Sequence, residues 1–499
     1  MALNIYWAGL LILLPLVALF SGHKAIFRPF RTAKLEKEPN PHDAEVKAFR
    51  MTFLRVYLLV MGSEWLQGPY LYSLLRDEKG LDERTVATLY VATYVSAAIS
   101  AFLTGYMADK FGRMTACLIF CCIHSLASVS MKFNDIKILI AGRVLGGIGL
   151  TLLWTAFESW MVTEYNARGL DRSPFQLSGM FSIMTKYNCM TAILAGVVSH
   201  YIVLALGSKT NPFIVGVGLD ACAFILMLWT WNENKGTNGN NSGLGDEDGL
   251  RSDTTDYKPA KATASMLKDT RIWVLSFTSC CFEGTIFIFT FFWPETLQEA
   301  HNKDNPSHGE AIPYGVIFAT FMATMVLGAI SFSFFKLNVK NATTERALVF
   351  STILPTLLLS TTLLVGASSF LIAALSKTEL HSYLAFLLLE LCNGIYVPSI
   401  AYHRSMIVDD SHRTLIYGLM NIPLFIFVVV ALYTASNNGE EHRQTVFVSS
   451  AVLLLVAAVA TALGLGISSI RPGFLRIWNK NTDDINLAEK DELEPSTLH

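Results

Sequence analysis

Four charged side chains sit deep inside long apolar runs: Glu64, Lys186, Glu283 and Glu390. Each lies roughly 10 to 14 residues from the end of its run, and at 1.5 Å of helical rise per residue this is near the middle of a bilayer. An ionised group there costs at least about 2.5 to 3.5 kcal/mol if unpaired, so it is expected to face a cavity and mark a path for solute or protons. Carboxyls so placed can take a proton from one side of a membrane and release it to the other, the chemistry that Glu64, Glu283 and Glu390 offer. Glu64 continues into a polar stripe. Gln67, Gly68 and Tyr72 follow it at helical spacings, and Pro69 removes a backbone donor and opens the helix locally. The plainer alternative is a Glu bonded to a neighbouring helix for structure alone. Among the cations inside the apolar runs are Arg143, in an R-x-x-x-G-x-G stretch, and Lys186, beside Tyr187 and Asn188. Each can bind an anion or neutralise a carboxylate across helices.

The elements that must hold these residues follow from composition. Of 499 residues, 52% are hydrophobic and only 16% charged, a balance that points to an integral membrane protein. The apolar runs fall at 3–20, 51–75, 85–107, 114–131, 136–162, 175–206, 212–231, 272–298, 313–335, 346–367, 380–402, 414–435 and 444–468. Helices satisfy their own backbone in lipid, so the expectation is an all-α integral membrane protein with one leading helix and twelve more. Lys and Arg concentrate in the loops that share a side with HKAIFRPFRTAKLEKE, which puts the N-terminus outside and the C-terminus in the cytosol. The first run carries its positive charge after the apolar stretch and is expected to stay as an anchor. All eight Cys lie inside runs, as small apolar side chains. The sequons at Asn240 and Asn341 are expected in the cytosol, unmodified. There is no phosphate-cradling Gly loop, no metal-ligand spacing and no sizeable extramembrane segment. No enzyme activity, metal, cofactor or nucleic-acid partner is therefore expected.

Along the chain, residues 1–22 form the extra helix, 23–50 a basic cytosolic linker, 51–231 a six-helix half, 232–268 a flexible linker rich in Gly, Asn, Asp and Ser, 269–470 a second six-helix half, and 471–499 an acidic cytosolic tail. The halves echo each other. RVYLLVMGSEWLQGPYLYSLL from Arg55 aligns with RIWVLSFTSCCFEGTIFIFTF from Arg271, which lays Gln67-Gly68 on Glu283-Gly284. Two six-helix halves around a midplane site are the pattern of an alternating-access transporter.

Between the second and third of the twelve helices, GYMADKFGRM fits G-x-x-x-D-x-x-G-R through Gly105, Asp109, Gly112 and Arg113. The glycines allow a tight turn, Asp109 can cap a helix N-terminus and Arg113 can pair with acids at the cytosolic face. This loop resembles the signature loop of the major facilitator superfamily, where it works as a conformational latch; Met114 stands where a second basic residue is common. With EWLQGPYLY, GRVLGGIG at 142–149, FESW at 157–160 and FEGTIFIFTFFWPETL at 282–297, the chain resembles the molybdate-anion transporter family within that superfamily. The likeness runs from the leading helix through the last apolar run. It implies the major facilitator fold with one extra N-terminal helix and uptake of molybdate or a similar tetrahedral oxyanion.

Under that reading Arg143, whose fork suits an oxyanion, and Lys186, Gln67, Tyr72 and Asn188 are the substrate-binding candidates. Drawing a dianion into a negative interior costs about 4.6 kcal/mol at 100 mV, so uphill uptake needs co-transported cations, and Glu64, Glu283 and Glu390 are expected to carry protons. Glu158, beside Ser159 and Trp160, is a gate candidate through a pair with the loop arginines, or a plain interfacial Glu. His403 and Arg404, at a span's cytosolic edge, read as snorkelling anchors. With no organellar address, a monomer in the lipid of the plasma membrane is expected. An organic solute as substrate, or a membrane sensor or scaffold without flux, are the alternatives; a latch loop argues against a static protein.

Overall fold

The computed structural model describes residues 5–26, 41–170, 174–234, 269–304, 312–340, 345–407, 420, 423–424, 426–432 and 439–466. Among them the regular structure is helical: α1 (Ile5–Ile26), α2 (Pro41–Gln67), α3 (Glu83–Phe111), α4 (Arg113–Ser130), α5 (Ile136–Ala167), α6 (Pro174–Leu206), α7 (Asn211–Thr230), α8 (Thr270–Asp304), α9 (Tyr314–Lys340), α10 (Glu345–Leu375), α11 (Glu379–Ile407), α12 (426–432) and α13 (Gly439–Thr461). Nine of these described helices, α4 to α11 and α13, are long and apolar enough to cross a bilayer. The linker beyond Asn234, the sequons at Asn240 and Asn341, most of the 414–435 run and the tail 471–499 lie outside the described residues.

Element boundaries depart from the apolar runs in one informative place. α2 starts at Pro41, well ahead of the run at 51, because proline suits the first helical turn and HDAEVKAFR holds no breaker. The segment read as a basic linker therefore ends as helix. At its other end α2 stops at Gln67, where Gly68 and Pro69 interrupt the ladder: Gly68–Tyr70 is a 3-10 turn, Leu71–Ser73 returns to α geometry and Leu74–Glu78 is a π turn.

Helix pairing carries the internal repeat more plainly than the sequence does. In the first half α3 packs on α5, α4 on α5, α4 on α7 and α2 on α7; in the second, α9 packs on α11, α10 on α11, α10 on α13 and α8 on α13. Each of these four pairings has its counterpart six helices later. Broad apolar faces point away from the bundle, for example Ile99, Leu126, Leu194, Leu204 and Trp229. In water such surface would be costly, and in lipid it is the expected exterior.

The halves meet along α6 and α9, where Gly196 and Gly315 bring the backbones together: a Cβ on Gly196 would lie 2.7 Å from the Gly315 carbonyl oxygen. Further cross-half contacts gather towards one end of the bundle. Tyr70 meets Tyr314 edge to face at 6.1 Å, Tyr72 meets Phe291 at 5.1 Å, and Lys209 lies over the Tyr314 ring at 5.3 Å. At the opposite end the first half has its own aromatic core, with Trp160 stacked on Trp231 at 3.6 Å beside Phe53 and Phe157. α1 lies across the seam. Gly9 and Tyr6 pack on Tyr383 of α11, α1 packs along α9, and Trp7 reaches His200 of α6.

Candidate substrate and proton site

Glu64 lies on α2 one turn before the break, with its side chain one-third exposed. α4 brings His124 against it and α7 brings Asp220 behind: His124 Nε2 is 3.0 Å from Glu64 Oε2, and Nδ1 is 2.7 Å from Asp220 Oδ2. Asp220 is fully buried and its Oδ1 has no hydrogen-bond partner among the described residues. A neutral imidazole carries one N–H and can donate to one carboxylate. Two carboxylates at these distances therefore require a further proton, on the ring or on an acid. Phe120 stacks on the ring at 5.1 Å, Ser63 Oγ bonds the Gly216 carbonyl at 3.0 Å, and the Gln67 amide lies 3.3 Å from Nε2 and donates to Ser128 at 2.9 Å.

Arg143 reaches the same neighbourhood from α5. Gly147 makes this possible, since a Cβ there would lie 2.2 Å from the Thr93 carbonyl oxygen and push α5 off α3. With the helices in contact, Arg143 Nε donates to Thr93 Oγ1 at 3.0 Å. Its two Nη groups make no hydrogen bond among the described residues, and Glu64, Tyr90 and Tyr94 lie within electrostatic range of it. The side chain is half-buried. The first half thus presents an accessible carboxylate between an imidazole and a guanidinium that has donors to spare.

The second half builds a different cluster from the equivalent helix. Glu283 Oε1 accepts from Tyr396 OH at 3.0 Å and from Arg404 Nη2 at 3.3 Å, and the same Nη2 donates to Ser279 at 2.7 Å. Phe282 stacks on Tyr396 at 4.0 Å. Arg404 is therefore not the snorkelling anchor its position in sequence suggested, because α11 carries it inward onto α8. Glu390 is buried and bonds the Asn393 amide at 3.1 Å, with no basic partner among the described residues.

The remaining sequence candidates separate. Tyr72 does not extend the Glu64 stripe into the cluster: past the break its hydroxyl donates to Glu295 of α8 across the halves. Glu295 and Glu299 in turn pair with Arg443 of α13, which joins three helices near the contact end. Asn188 accepts from the Trp65 indole at 2.8 Å, tying α6 to α2. Lys186 is exposed on α6 and has no ion-pair partner among the described residues. Glu158 is also exposed and makes no ion pair there, while Arg113 donates to the Ser159 carbonyl at 3.4 Å, so the expected Glu158 pair with the loop arginines is not formed. The side chains at Gly105 and Asp109 lie outside the described residues. Gly112 takes a φ of 116°, open to glycine, and the α4 N-terminus it precedes is capped by Glu233, whose oxygens accept from the Met114 and Thr115 amides at 2.9 Å. A surface pocket lined by Thr296, Glu299, Lys303, Lys377 and Arg443 includes neither Glu64 nor Glu283.

Sequence reasoning overlooked His124, Asp220 and Glu233, and took Arg404 for an anchor. Asp220 carried a visible signal, a carboxylate in the middle of an apolar run, and His124 carried the same signal more weakly.

A family model described as sugar transporters with 12 transmembrane segments, MFS_5, matches residues 16–386. The molybdate-anion transporter of Takifugu rubripes is 30% identical over 441 residues, covering 83% of this chain and 86% of its own. This chain belongs to the molybdate-anion transporter family of the major facilitator superfamily. The molybdate-anion transporter of Danio rerio is 29% identical over 444 residues, with the same shares covered. Among solved structures, a point mutant of the nucleoside transporter NupG superposes with a TM-score of 0.62 at 15% identity, covering 83% of this chain and 99% of that one. A point mutant of the peptide transporter POT gives 0.63 at 13%, covering 85% and 95%. At such identity the likeness carries the fold: the major facilitator arrangement, with α2–α7 and α8–α13 as its halves and α1 as an addition. Membership of this family makes the chain a multi-pass transporter rather than an enzyme.

Proposed function

We propose that this chain is a secondary active transporter that takes up molybdate, or a similar tetrahedral oxyanion, by alternating access and in company with protons. The observation that carries the reading is Arg143: a half-buried guanidinium whose two Nη groups make no hydrogen bond among the described residues, on the same half as an accessible carboxylate, on a chain whose relatives are named for molybdate. Arginine's fork matches the oxygens of a tetrahedral dianion. Gln67 and Asn188 line the same wall, and Lys186 supplies a second exposed cation on α6. Glu64 and Glu283 are the proton carriers, with Glu390 a deeper third.

The halves at 51–231 and 269–470 rock against each other about the α6–α9 seam. Contacts gathered at the Tyr72 end support a state closed there and entered from the other side, which charge distribution assigns to the cytosol. In this reading the N-terminus is outside, the loop of Gly105, Asp109, Gly112 and Arg113 is a one-sided cytosolic latch with Glu158 nearby, and the protein works as a monomer in the plasma membrane. The description of the matching family model as sugar transporters favours an organic solute as the second reading.

Uptake of labelled molybdate into proteoliposomes, with sulfate or a sugar in excess and Arg143→Ala alongside, separates the two. Saturable uptake that a sugar leaves untouched and that Arg143→Ala lowers by about a hundredfold is expected, the loss of two charge-assisted bonds. Sugar flux without molybdate flux would move the assignment to the organic solute.

A further inference from the structure

We propose that the Glu64 carboxylate and the transported oxyanion compete for one place, beside His124 and within reach of Arg143, so that a proton on Glu64 and an oxyanion on those two cations are linked events. The inference rests on the oxyanion reading above and deepens it by adding His124 as a substrate ligand and Asp220 as its positioning residue.

The argument starts from charge. Glu64 and Asp220 supply two negative charges, and Arg143 with a doubly protonated His124 supplies two positive ones. In this neutral set the members differ in freedom. Asp220 is fully buried and holds Nδ1 at 2.7 Å, so it is fixed behind the ring. Glu64 is one-third exposed, holds Nε2 at 3.0 Å by one oxygen and stands at the end of α2 where the helix breaks. It is the carboxylate that can leave. Among the described residues the two Nη groups of Arg143 make no hydrogen bond, so they can donate to an anion.

An incoming dianion meets Glu64 as a like charge competing for the same donors. Protonation of Glu64 removes the competitor: the carboxyl leaves Nε2, and the N–H of His124 and the Nη groups of Arg143 turn to the oxyanion. Asp220 stays 2.7 Å from Nδ1, accepting that N–H and so holding Nε2 towards the oxyanion. The groups that face Glu64 are His124 from α4, Asp220 behind it from α7, and Arg143 from α5. Tyr90 and Tyr94 of α3 flank Arg143, Gln67 lies one turn along α2, and the exposed Lys186 is the cation on α6. One proton bound per oxyanion bound is the minimum coupling this exchange imposes.

The test is molybdate binding to the purified full-length protein in nanodiscs, followed by titration calorimetry between pH 6 and pH 8. In the wild type, affinity is expected to fall as pH rises, by up to about tenfold per unit if one proton is taken up. Glu64→Gln, which mimics the protonated carboxyl, is expected to bind at least as tightly as the wild type at pH 6 and to lose the pH dependence. His124→Gln is expected to weaken binding by about tenfold or more at every pH, as a charged donor is lost. Asp220→Asn is expected to weaken binding more at pH 8 than at pH 6, because the amide gives the ring no counter-charge; a merely structural role would lower binding equally at all pH. If Glu64→Gln does not fold, Glu64→Ala is read in the same way. Weaker binding in Glu64→Gln, or retention of the wild-type pH slope, would overturn the inference while molybdate binding by the wild type left the transport reading intact. A wild type that binds no molybdate at any pH would remove that reading and the inference with it.

Discussion

The two halves place polar clusters on equivalent helices, and they have solved opposite problems. In the second half Glu283 is held by Arg404 and Tyr396 while Ser279 takes the same guanidinium nitrogen, so acid and base close on each other. In the first half the position equivalent to Glu283 is the neutral Gln67, and the acid has moved one turn earlier to Glu64, where it shares a histidine with a second, buried acid. Arg143 stays outside that pairing. Equivalent helices thus hold the acid of one half against a guanidinium and leave the guanidinium of the other half with Nη groups that make no hydrogen bond among the described residues. Shared fold and aligned sequence do not confer a shared role; the placing of one cation does.

This contrast can be broken most sharply in the second half. Arg404→Ala should leave Glu283 uncompensated and cost about 3 to 5 kcal/mol, read as a fall in thermal stability, and Arg404→Ala with Glu283→Gln should recover most of it. Glu64→Gln should cost only about 1 kcal/mol, since His124 keeps Asp220. Equal losses in the two halves would end the distinction between tie and site.

A smaller effect is expected where the halves touch. Tyr72→Phe removes the hydroxyl that Glu295 accepts, a bond to a charged group worth about 1.5 to 3 kcal/mol, and should shift the protein about tenfold or more towards the state open at that end. The readout is maleimide labelling of Ser73→Cys, a position 1% exposed, in a background without native cysteines. Unchanged labelling would mean that the α6–α9 seam alone holds this end shut.

The smallest change is expected at Lys186. An exposed cation without an ion-pair partner among the described residues acts by diffuse attraction, so Lys186→Ala should raise the molybdate KM by about two- to threefold at low salt and less at high salt. Loss of uptake would move the anion site onto α6 and away from Arg143.

Much of the architecture was legible in the sequence because lipid imposes it. Apolar runs of spanning length must be helices, and the break after Gln67 followed from Gly68 and Pro69. Glu64 and Arg143 were legible as candidates for the same reason: charge in an apolar run is costly and has to be explained. Their partners were less so. His124 sits in LIFCCIHSLASV with nothing local to mark it, Asp220 went unweighed in VGLDACAF, and Arg404 lay near enough to a run's end to read as an anchor. Glu158 shows the reverse: its place at the cytosolic end of its helix suggested a pair with the latch arginine, and among the described residues no such pair forms.

The sequence by itself determined that this chain is a bundle of membrane helices in two related halves, and which residues carry charge into it. Composition and period act locally, one helix at a time. Only the tertiary structure decided which charges meet. His124 lies 61 residues from Ser63 and 96 from Asp220, so their meeting depends on how α2, α4 and α7 pack. Whether a buried cation closes on an acid or keeps donors for a ligand is set by distances of a few ångström between helices.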